Sequence, residues 1–471
     1  MPKEIDLTPK TFPIIPAKEK IELPVSFDDI ELSGIKTGNL IREVSNASKL
    51  KTAVKVADCV VAESGGDFTS IQDALNAGKK RIYVKRGTYE ITSPIVISSD
   101  DVIIAGEDRE GVIIKATTHV NMIEIQAGLA GIILRDFTLE NTIKGETDDI
   151  CILDIAGTSA NWVSECLFEN LILKNGEWHS VDAGYLQDSI FNKIYITSCD
   201  GYFGLFDSSR HNVVSSCKFS SSGGITIGGE YNLITGNYIY GACNQGVSIG
   251  AGYNLIIGNF FRMPYREAIR VDKGKGSIIM GNTVYDGWQE GIVLDRDVEH
   301  CLILNNSFYQ CGQRANNTYD VISIVYGVGA DPIQYNLIQG NVCRAGVATN
   351  KPRYAIGIDS YGKYNYIVNN DLYNDGFGSG VVNDGGVENI FRNNRGYNPV
   401  GLASITVGAS PFTYTAGGSP ETVYISGGTV SDISKGGTTI FTDTGHSIEL
   451  EPHESIVITY SAAPTMIKDI H

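Results

Sequence analysis

Positive charge and long apolar runs are both scarce in this sequence. The chain of 471 residues carries 37 Lys and Arg side chains against 54 Asp and Glu, which gives a formal net charge of −17. A chain with this charge repels the phosphate backbone of nucleic acids, so we expect no nucleic-acid partner. No segment approaches the roughly 18 consecutive apolar residues that a membrane-spanning helix needs. We therefore also expect no insertion into a membrane.

Paired cysteines and metal-binding spacings are absent as well. The nine cysteines are an odd number, and no two of them form a Cys-x-x-Cys pair. Most lie inside apolar runs, as Cys151 does, so we expect buried free thiols. The first residues show no charged segment followed by an apolar core, which predicts synthesis in the cytoplasm without a signal peptide. A protein of this kind that works extracellularly or on a virion surface leaves the cell by lysis, on a particle or by another signal-independent route.

A seven-residue motif of the form Tyr-Asn-Leu-Ile-x-Gly-Asn recurs along the chain. Its copies, some of them looser, lie at residues 231–237, 253–259, 276–282, 335–341, 364–370 and 388–394. The closing asparagines Asn237, Asn259 and Asn282 are 22 and 23 residues apart. A short apolar run repeating at this period predicts one coil of a solenoid, because each coil can bury its apolar side only against its neighbours.

Two segments before the repeats predict how the solenoid begins. Residues 65–76 read Gly-Gly-Asp-Phe-Thr-Ser-Ile-Gln-Asp-Ala-Leu-Asn, and Thr69 or Ser70 can cap a helix there. Residues 81–90 read Arg-Ile-Tyr-Val-Lys-Arg-Gly-Thr-Tyr-Glu, a strand that ends at a glycine turn. Together they resemble the entry of the pectin-lyase-like right-handed parallel β-helix superfamily, which includes viral and phage tailspike-like proteins. The resemblance implies an all-β fold in which an N-terminal helix covers the first coil.

The two ends of the chain differ from the repeats. Residues 1–60 hold five prolines within the first 24 positions and show no periodic pattern, which predicts an arm that attaches to another chain. From residue 399 to 471, short alternating strands separated by Gly, Pro and Ser predict a small antiparallel β-sandwich. The β-helix is then expected over residues 61–398, and the sandwich covers its open end.

Acidic side chains occupy the position before the strand in successive coils. These are Glu267 and Glu290, joined by Asp320 if the longer coil that precedes it keeps the same register, with Gln245 one coil earlier as a candidate carbohydrate-binding residue. Because neighbouring strands lie about 4.8 Å apart, Glu267 and Glu290 match the separation of a retaining pair of glycosidase carboxylates, and Glu267 with Asp320 comes near that of an inverting pair. Crowding raises the pKa of at least one of them. The three acids are therefore candidate catalytic residues.

Aromatic and cationic side chains surround these acids. Tyr265, Trp288 and Tyr319 precede them, and Arg266 and Arg270 lie beside them. Aromatic rings beside polar groups are how proteins stack against sugars, so these five residues are candidates for carbohydrate binding. The open alternative is that the arginines neutralise the acids in a structural ladder of salt bridges.

Asp and Gly share the position that follows the strand. The aligned set is Asp154, Asp182, Gly228, Gly250, Asp272, Asp295, Asp359 and Asp384. Both residue types suit a tight turn. The alternative is a calcium or other metal site, for which Asp272 and Asp295 are weak candidates because hard cations prefer clustered oxygens.

A second cluster combines Trp178, His179 and Asp182 with residues of the following coil, Asp207 and Arg210. We expect His179 to pack or to cap a turn rather than to transfer protons. The motifs of polygalacturonase-type relatives are missing, since no Gly-His-Gly and no matching Arg-x-Lys segment occurs. The resemblance therefore carries no catalytic residue over to this chain.

The sequence leaves three functions open. The first is a tailspike-like surface protein of a virus or phage, a homo-oligomer such as a trimer, that binds host-surface polysaccharide and contacts other virion proteins through its arm. The second is a free-standing polysaccharide lyase or glycoside hydrolase. The third is a purely architectural surface protein. The fold resemblance favours the first and leaves catalysis undecided.

Overall fold

Three parallel β-sheets wound as a solenoid make up most of the structure. A computed structural model describes residues 57–143, 150–241, 244–325, 332–373 and 375–471. We call the sheets of 14, 12 and 11 strands sheet I, sheet II and sheet III. Each coil contributes one strand to sheet I, then one to sheet III, then one to sheet II, and every strand pairs with its equivalent in the next coil.

The strands are short, mostly three to six residues. Sheet I consists of Cys59–Val61, Arg81–Val84, Ile103–Gly106, Ile133–Arg135, Leu167–Glu169, Ile190–Asn192, Val213–Ser215, Leu233–Thr235, Leu255–Ile257, Ile278–Met280, Leu302–Leu304, Leu337–Gln339, Tyr366–Val368 and Ile390–Arg392. Sheet II consists of Ile95–Ile97, Ile123–Ile125, Cys151–Ala156, His179–Gly184, Phe203–Phe206, Ile225–Ile227, Val247–Ile249, Ile269–Val271, Ile292–Leu294, Ile322–Ile324, Ile356–Ile358 and Val382–Asp384. Sheet III consists of Gly87–Ile91, Val112–Ala116, Thr138–Asn141, Ile172–Lys174, Tyr195–Cys199, Lys218–Ser222, Tyr238–Tyr240, Phe260–Arg262, Thr283–Tyr285, Ser307–Tyr309 and Val342–Arg344. Two further pairs of two-residue strands widen the corners, Val163–Ser164 with Leu186–Gln187 and Ile333–Gln334 with Gly362–Lys363.

One continuous apolar core fills the solenoid from Cys59 to Phe391. In strands such as Ile225–Ile227 and Ile269–Val271 the first and third residues are buried and the middle one faces outward, because side chains alternate along a strand. The helix Ile71–Asn76 closes the first coil with Ile71 and Ala74 buried. Its N-cap is Ser70, whose hydroxyl accepts a hydrogen bond from the Asp73 amide at 3.3 Å.

Two ladders of buried asparagines run along the corners of sheet I. The amide oxygen of Asn259 accepts hydrogen bonds from the backbone N–H of Asn237 at 3.0 Å and from its side-chain amide at 2.9 Å. Asn259 repeats the same pair of bonds with Asn282 in the next coil. Gly258 precedes Asn259 with φ of 64°, a left-handed conformation that glycine adopts without strain. The Gly-Asn ending of the motif thus turns the chain and joins the coils.

The last residues form two antiparallel four-stranded sheets packed on their own apolar core. One sheet holds Gly401–Ile405, Thr465–Ile470, Glu421–Ser426 and His446–Leu450, and the other Phe412–Thr415, Ser455–Ala462, Thr429–Lys435 and Thr438–Phe441. This sandwich meets the last coil, where the Phe391 amide donates to the Gly418 carbonyl at 2.6 Å.

The fold class predicted from the sequence is confirmed, including the helix at the start and the antiparallel sandwich at the end. The eight described cysteines are buried, as predicted, while Cys243 lies outside the described residues. The predicted arm, residues 1–60, lies almost wholly outside them too. Over the part of the chain that is described, no helix is long and apolar enough to cross a membrane.

Candidate functional site

The strand register of sheet II places the three candidate acids at equivalent positions of successive coils. Ile269 pairs with Ile292, and Ile292 pairs with Ile322. Glu267, Glu290 and Asp320 each lie two residues before those partners, so they form one column. Gln245 occupies the same position in the preceding coil, since Val247 pairs with Ile269, and it is buried. We call Glu267, Glu290 and Asp320 the acid column.

Glu267 is held by two arginines. Its side chain is 6% exposed, and its Oε1 accepts a hydrogen bond from Arg270 Nη1 at 3.0 Å. Arg266 Nε lies 3.8 Å from Oε2, too far for a hydrogen bond. Oε2 is buried and accepts no hydrogen bond from the described residues. Oε1 of Glu267 thus accepts a hydrogen bond from Arg270, whereas Oε2 can still accept one from a bound ligand.

Asp320 is bound in a fork by Arg353. Arg353 Nε donates to Oδ1 at 2.9 Å and Nη2 donates to Oδ2 at 2.8 Å, while the Asp320 side chain is 1% exposed. This bidentate geometry fixes both carboxylate oxygens. Gly357 in the next coil leaves room for the pair, because a Cβ there would come within 2.0 Å of Asp320 Oδ2. Asp320 is therefore better suited to positioning Arg353 than to reacting itself.

Glu290 lies between these two arginine-bound acids and has a different environment. Among the described residues, no Lys, Arg or His lies within ion-pair distance of its carboxylate. Burial raises its pKa to about 7, and the charges of Glu267 and Asp320 act in the same direction. A carboxyl group with a pKa near neutrality can both donate and accept a proton at physiological pH. Glu290 has the chemistry of a general acid or base.

Aromatic residues precede all three acids of the column, Tyr265 and Trp288 by two residues and Tyr319 by one. The ring centroids of Tyr265 and Trp288 are 5.3 Å apart, and the two residues are 44% and 37% exposed. The Arg314 guanidinium lies 5.3 Å from the Tyr265 ring. Tyr319 is half-buried and its carbonyl accepts a hydrogen bond from the Arg353 amide at 2.7 Å. The exposed Tyr265 and Trp288 therefore form one aromatic pair, and Trp288 lies two residues before Glu290 in the chain.

The two weak candidates for metal ligation engage arginines. Asp295 accepts a hydrogen bond from Arg270, and Asp272 accepts hydrogen bonds from Arg296. Within the described residues, no group of three or more His, Cys, Asp and Glu side chains is arranged to hold a metal ion. Both carboxylates thus have structural partners, and a metal role for them stays a prediction.

The predicted Asp and Gly column is wrong at three of its positions. Asp154 pairs with Asp182, and Asp182 pairs with Gly204, so these two acids share the middle outward position of sheet II with Arg270. Asp384 pairs with Ile358 rather than with Asp359. The early strands Cys151–Ala156 and His179–Gly184 are longer than the later ones, which displaces an alignment anchored on the repeat motif.

The second cluster, around His179 and Asp182, differs from the acid column in that it centres on a histidine. Burial lowers the pKa of His179 to about 4, and its Nδ1 accepts a hydrogen bond from the Tyr202 amide at 3.2 Å. The imidazole is therefore neutral and packed, as expected from the sequence. Burial and the charge of Asp182 together raise the pKa of Asp154 to about 6. Asn121 donates to Asp154 Oδ2 at 3.0 Å.

Sequence reasoning missed Arg353 and Arg314. Arg353 lies 33 residues after Asp320, on a coil that contains an insertion, so spacing alone does not connect them. The signal is present, since Ile322 pairs with Ile356 and Tyr354 therefore occupies the acid-column position. Extending the alignment by one coil places Arg353 next to that position.

The comparison with protein families agrees with this geometry. A family model described as the right handed beta helix region matches residues 214–372. The fold is a right-handed parallel β-helix. No curated protein sequence matches the chain.

Solved structures of this β-helix type are similar at low identity. The A-module of the Azotobacter vinelandii mannuronan C-5 epimerase AlgE4 matches with a TM-score of 0.52 and 16% identity, over 69% of this chain and 91% of that one. The Dettilon tailspike protein matches with a TM-score of 0.52 and 15% identity, over 87% and 93%. The pre-mature gene product 12 of bacteriophage phi29 matches with a TM-score of 0.52 and 14% identity, over 77% and 59%. At these identities the likeness establishes the shared fold.

Proposed function

We propose that this β-helix protein binds polysaccharide at the acid column, as a tailspike-like surface protein of a virus or phage. The observation that carries the proposal is the exposed ring pair of Tyr265 and Trp288, each two residues before an acid of the column, Glu267 and Glu290. Aromatic faces stack on the apolar faces of sugar rings, while carboxyl and guanidinium groups bond the hydroxyls.

The likeness to a tailspike and to an enzyme named for mannuronan is consistent with a protein that meets polysaccharide. Attachment to other virion proteins through residues 1–60, and assembly into a homo-oligomer such as a trimer, belong to the same proposal.

A second candidate function is acid–base cleavage of the bound glycan, and the pKa of Glu290 favours it. In a hydrolase, protonated Glu290 gives its proton to the glycosidic oxygen while the bond to the anomeric carbon breaks, and water then supplies the hydroxyl group. Glu267 is the acid on the adjacent coil, and its open Oε2 makes it the better partner than Asp320, whose two oxygens are both held by Arg353.

Binding is tested with an array of neutral and anionic polysaccharides. We expect saturable binding by the natural protein and a loss of about fivefold or more in Trp288→Ala, because stacking on one exposed ring contributes on the order of 1 kcal/mol or more. Trp178→Ala is the matched control, since Trp178 is 42% exposed but lies several coils away. If no polysaccharide binds, an architectural role replaces this proposal.

Turnover is tested on the polysaccharides that bind, by following new reducing ends and unsaturated products. We expect Glu290→Gln to bind normally and to lose turnover. A natural protein that binds glycan without any turnover removes the enzymatic part and leaves the binding part intact. Antibody labelling of virus particles in negative stain tests the proposed location, and particles that carry no label contradict it.

A further inference from the structure

The outer face of sheet III carries a column of aromatic and guanidinium groups. Tyr240 pairs with Arg262, Arg262 with Tyr285, and Tyr285 with Tyr309. Side chains in equivalent positions of neighbouring coils lie about 4.8 Å apart. We call these four residues the Tyr–Arg column. It lies on a different sheet from the acid column.

Arg262 is the centre of this column. Its guanidinium carbon lies 5.9 Å from the ring centroid of Tyr240 and 6.0 Å from that of Tyr285. Both rings are 37% exposed, and Arg262 is exposed as well. The guanidinium thus lies in the range of cation–π contacts with both rings, and its N–H donors stay accessible to solvent because the side chain is exposed.

No carboxylate among the described residues lies within ion-pair distance of Arg262, although the chain is rich in acids. A later residue at the same outward position shows the contrast, because Arg344 pairs with Tyr309 and its Nη2 binds Asp371 Oδ2 at 2.6 Å. Arg262 therefore contacts two rings and is left without a counter-charge from the part of the chain that the structure describes.

The start of the same outward position is neutralised internally. Glu90 pairs with Lys115, Lys115 with Glu140, and Glu140 with Lys174, so acids and bases alternate from coil to coil. Lys174 Nζ lies 3.8 Å from Glu140 Oε2. One outward position thus changes from balanced charges to rings around one uncompensated cation, which a purely structural ladder does not require.

We propose that the Tyr–Arg column binds an anionic polysaccharide, with sugar rings stacked on the tyrosines and a sugar carboxylate bonded by Arg262. A guanidinium and a carboxylate form paired, charge-assisted hydrogen bonds, which gives the column a preference for uronic-acid-like units. The proposal rests on the proposed function in that both require a glycan, and it assigns a second surface and a charge class to that glycan.

A second copy of the chain related by a two-fold axis fits the column less well. In a two-fold contact the same patch meets itself, which brings Arg262 against cations and tyrosines rather than against acids. The glycan supplies the missing negative charge.

The experiment compares two probes that share a backbone, oligogalacturonate and the same oligomer with its carboxyl groups methyl-esterified. Binding is measured by calorimetry on the full chain at low and at moderate salt. The variants are Arg262→Met and Tyr285→Ala. Lys174→Gln is the matched control, because it removes one positive charge from the same outward position outside the ring stack. Thermal melting confirms that each variant is folded.

We expect oligogalacturonate to bind the natural protein and Lys174→Gln alike, and to bind Arg262→Met and Tyr285→Ala about tenfold or more weakly. We also expect weaker binding of the esterified oligomer and of the free acid at higher salt. Equal binding of the two oligomers, or an unchanged affinity in Arg262→Met, overturns the proposal. So does an assembly that dissociates in Tyr285→Ala, which assigns the column to contacts between copies.

Failure of this proposal is distinguishable from failure of the proposed function. Trp288→Ala and Glu290→Gln leave the Tyr–Arg column intact, so Trp288→Ala is expected to keep a residual, salt-sensitive binding of oligogalacturonate and Glu290→Gln to bind it as the natural protein does. Loss of all binding in Trp288→Ala, with Arg262→Met unaffected, assigns glycan recognition to the acid column alone.

Discussion

Glu290 differs from its neighbours in the acid column by what surrounds it. Glu267 and Asp320 are bound by Arg270 and Arg353, whereas for Glu290 burial and the two neighbouring acids outweigh its own backbone hydrogen bond and the charge of Arg270, so its pKa is raised. A half-buried carboxyl group that has no ion-pair partner among the described residues costs stability when it ionises, so its presence in a column whose other two acids bind arginines points to a functional reason. The dependence of the free energy of unfolding on pH measures that cost directly.

Replacing Glu290 with Gln is expected to stabilise the protein at alkaline pH. The carboxyl group has a pKa of about 7 when folded against 4.5 as its ordinary value, so the folded state binds the proton more tightly. The natural protein therefore loses stability as the pH rises from about 4.5 through 7. Gln carries no charge to bury, so the variant is expected to be more stable by about 1–3 kcal/mol at pH 8 and equal near pH 4. Denaturant unfolding at both pH values measures this difference.

Glu299→Gln is the control of opposite sign. Hydrogen bonding from Gln334 and the nearby Lys275 lower the pKa of Glu299. This substitution is expected to destabilise the protein at pH 8 and to have little effect at low pH. If Glu290→Gln shows no pH-dependent gain in the free energy of unfolding, burial does not hold the Glu290 carboxyl group of the natural protein in its uncharged form.

At the scale of one coil, the asparagine ladders explain more of the repeat than turn chemistry does. Asn and Asp both suit turns, so the sequence predicts only that a polar residue follows the glycine. In the structure the Asn259 side-chain amide also donates to the Ile234 carbonyl at 2.9 Å, so all its hydrogen-bonding groups have partners inside the solenoid. A carboxylate cannot replace the donor half of this amide.

Asn259→Asp separates these two explanations. A turn role tolerates Asp, whereas in the ladder the change removes the side-chain donor to the Ile234 carbonyl and to the Asn282 amide oxygen and buries a charge beside them. We expect a loss of about 2 kcal/mol or more in the free energy of unfolding at pH 7. Ser307→Ala, an exposed change in a nearby coil, is the control. A variant as stable as the control contradicts the ladder.

The coil period also determines which parts of the candidate site the sequence predicts. It predicts that Glu267 and Glu290 share one column because their strands, Ile269–Val271 and Ile292–Leu294, are one regular coil of 23 residues apart. Asp320 follows Glu290 by 30 residues, so its place in the column depends on the register of a longer coil. It misplaces Asp154 and Asp182 because the early strands are longer, which moves the end of the strand relative to its paired residues. The ion pair of Arg353 with Asp320 bridges a coil of irregular length, so the period does not predict it.

At the scale of the whole molecule, the parallel stack has two open edges and the chain covers both. The helix Ile71–Asn76 packs over the first coil, with Gln72 Oε1 accepting from the Val96 amide at 2.7 Å. At the other end, His453 Nε2 lies 3.1 Å from the Asn389 carbonyl. Composition and turn residues predict both caps. The contacts themselves depend on the path of the loop at residues 416–420, which no sequence period describes.

Removing the sandwich is expected to turn the last coil into an associating edge. A chain ending at residue 398 keeps Asn398 on the asparagine ladder but exposes the strand Ile390–Arg392 and frees the Phe391 amide from Gly418. An uncovered strand edge recruits other chains. Sedimentation velocity is therefore expected to show assemblies that grow with concentration in the truncated chain, while the full chain keeps a constant sedimentation coefficient. Adding Ile390→Lys to the truncated chain is expected to reverse the growth, because a lysine at an edge opposes pairing. A truncated chain whose assemblies do not grow with concentration contradicts a capping role for the sandwich.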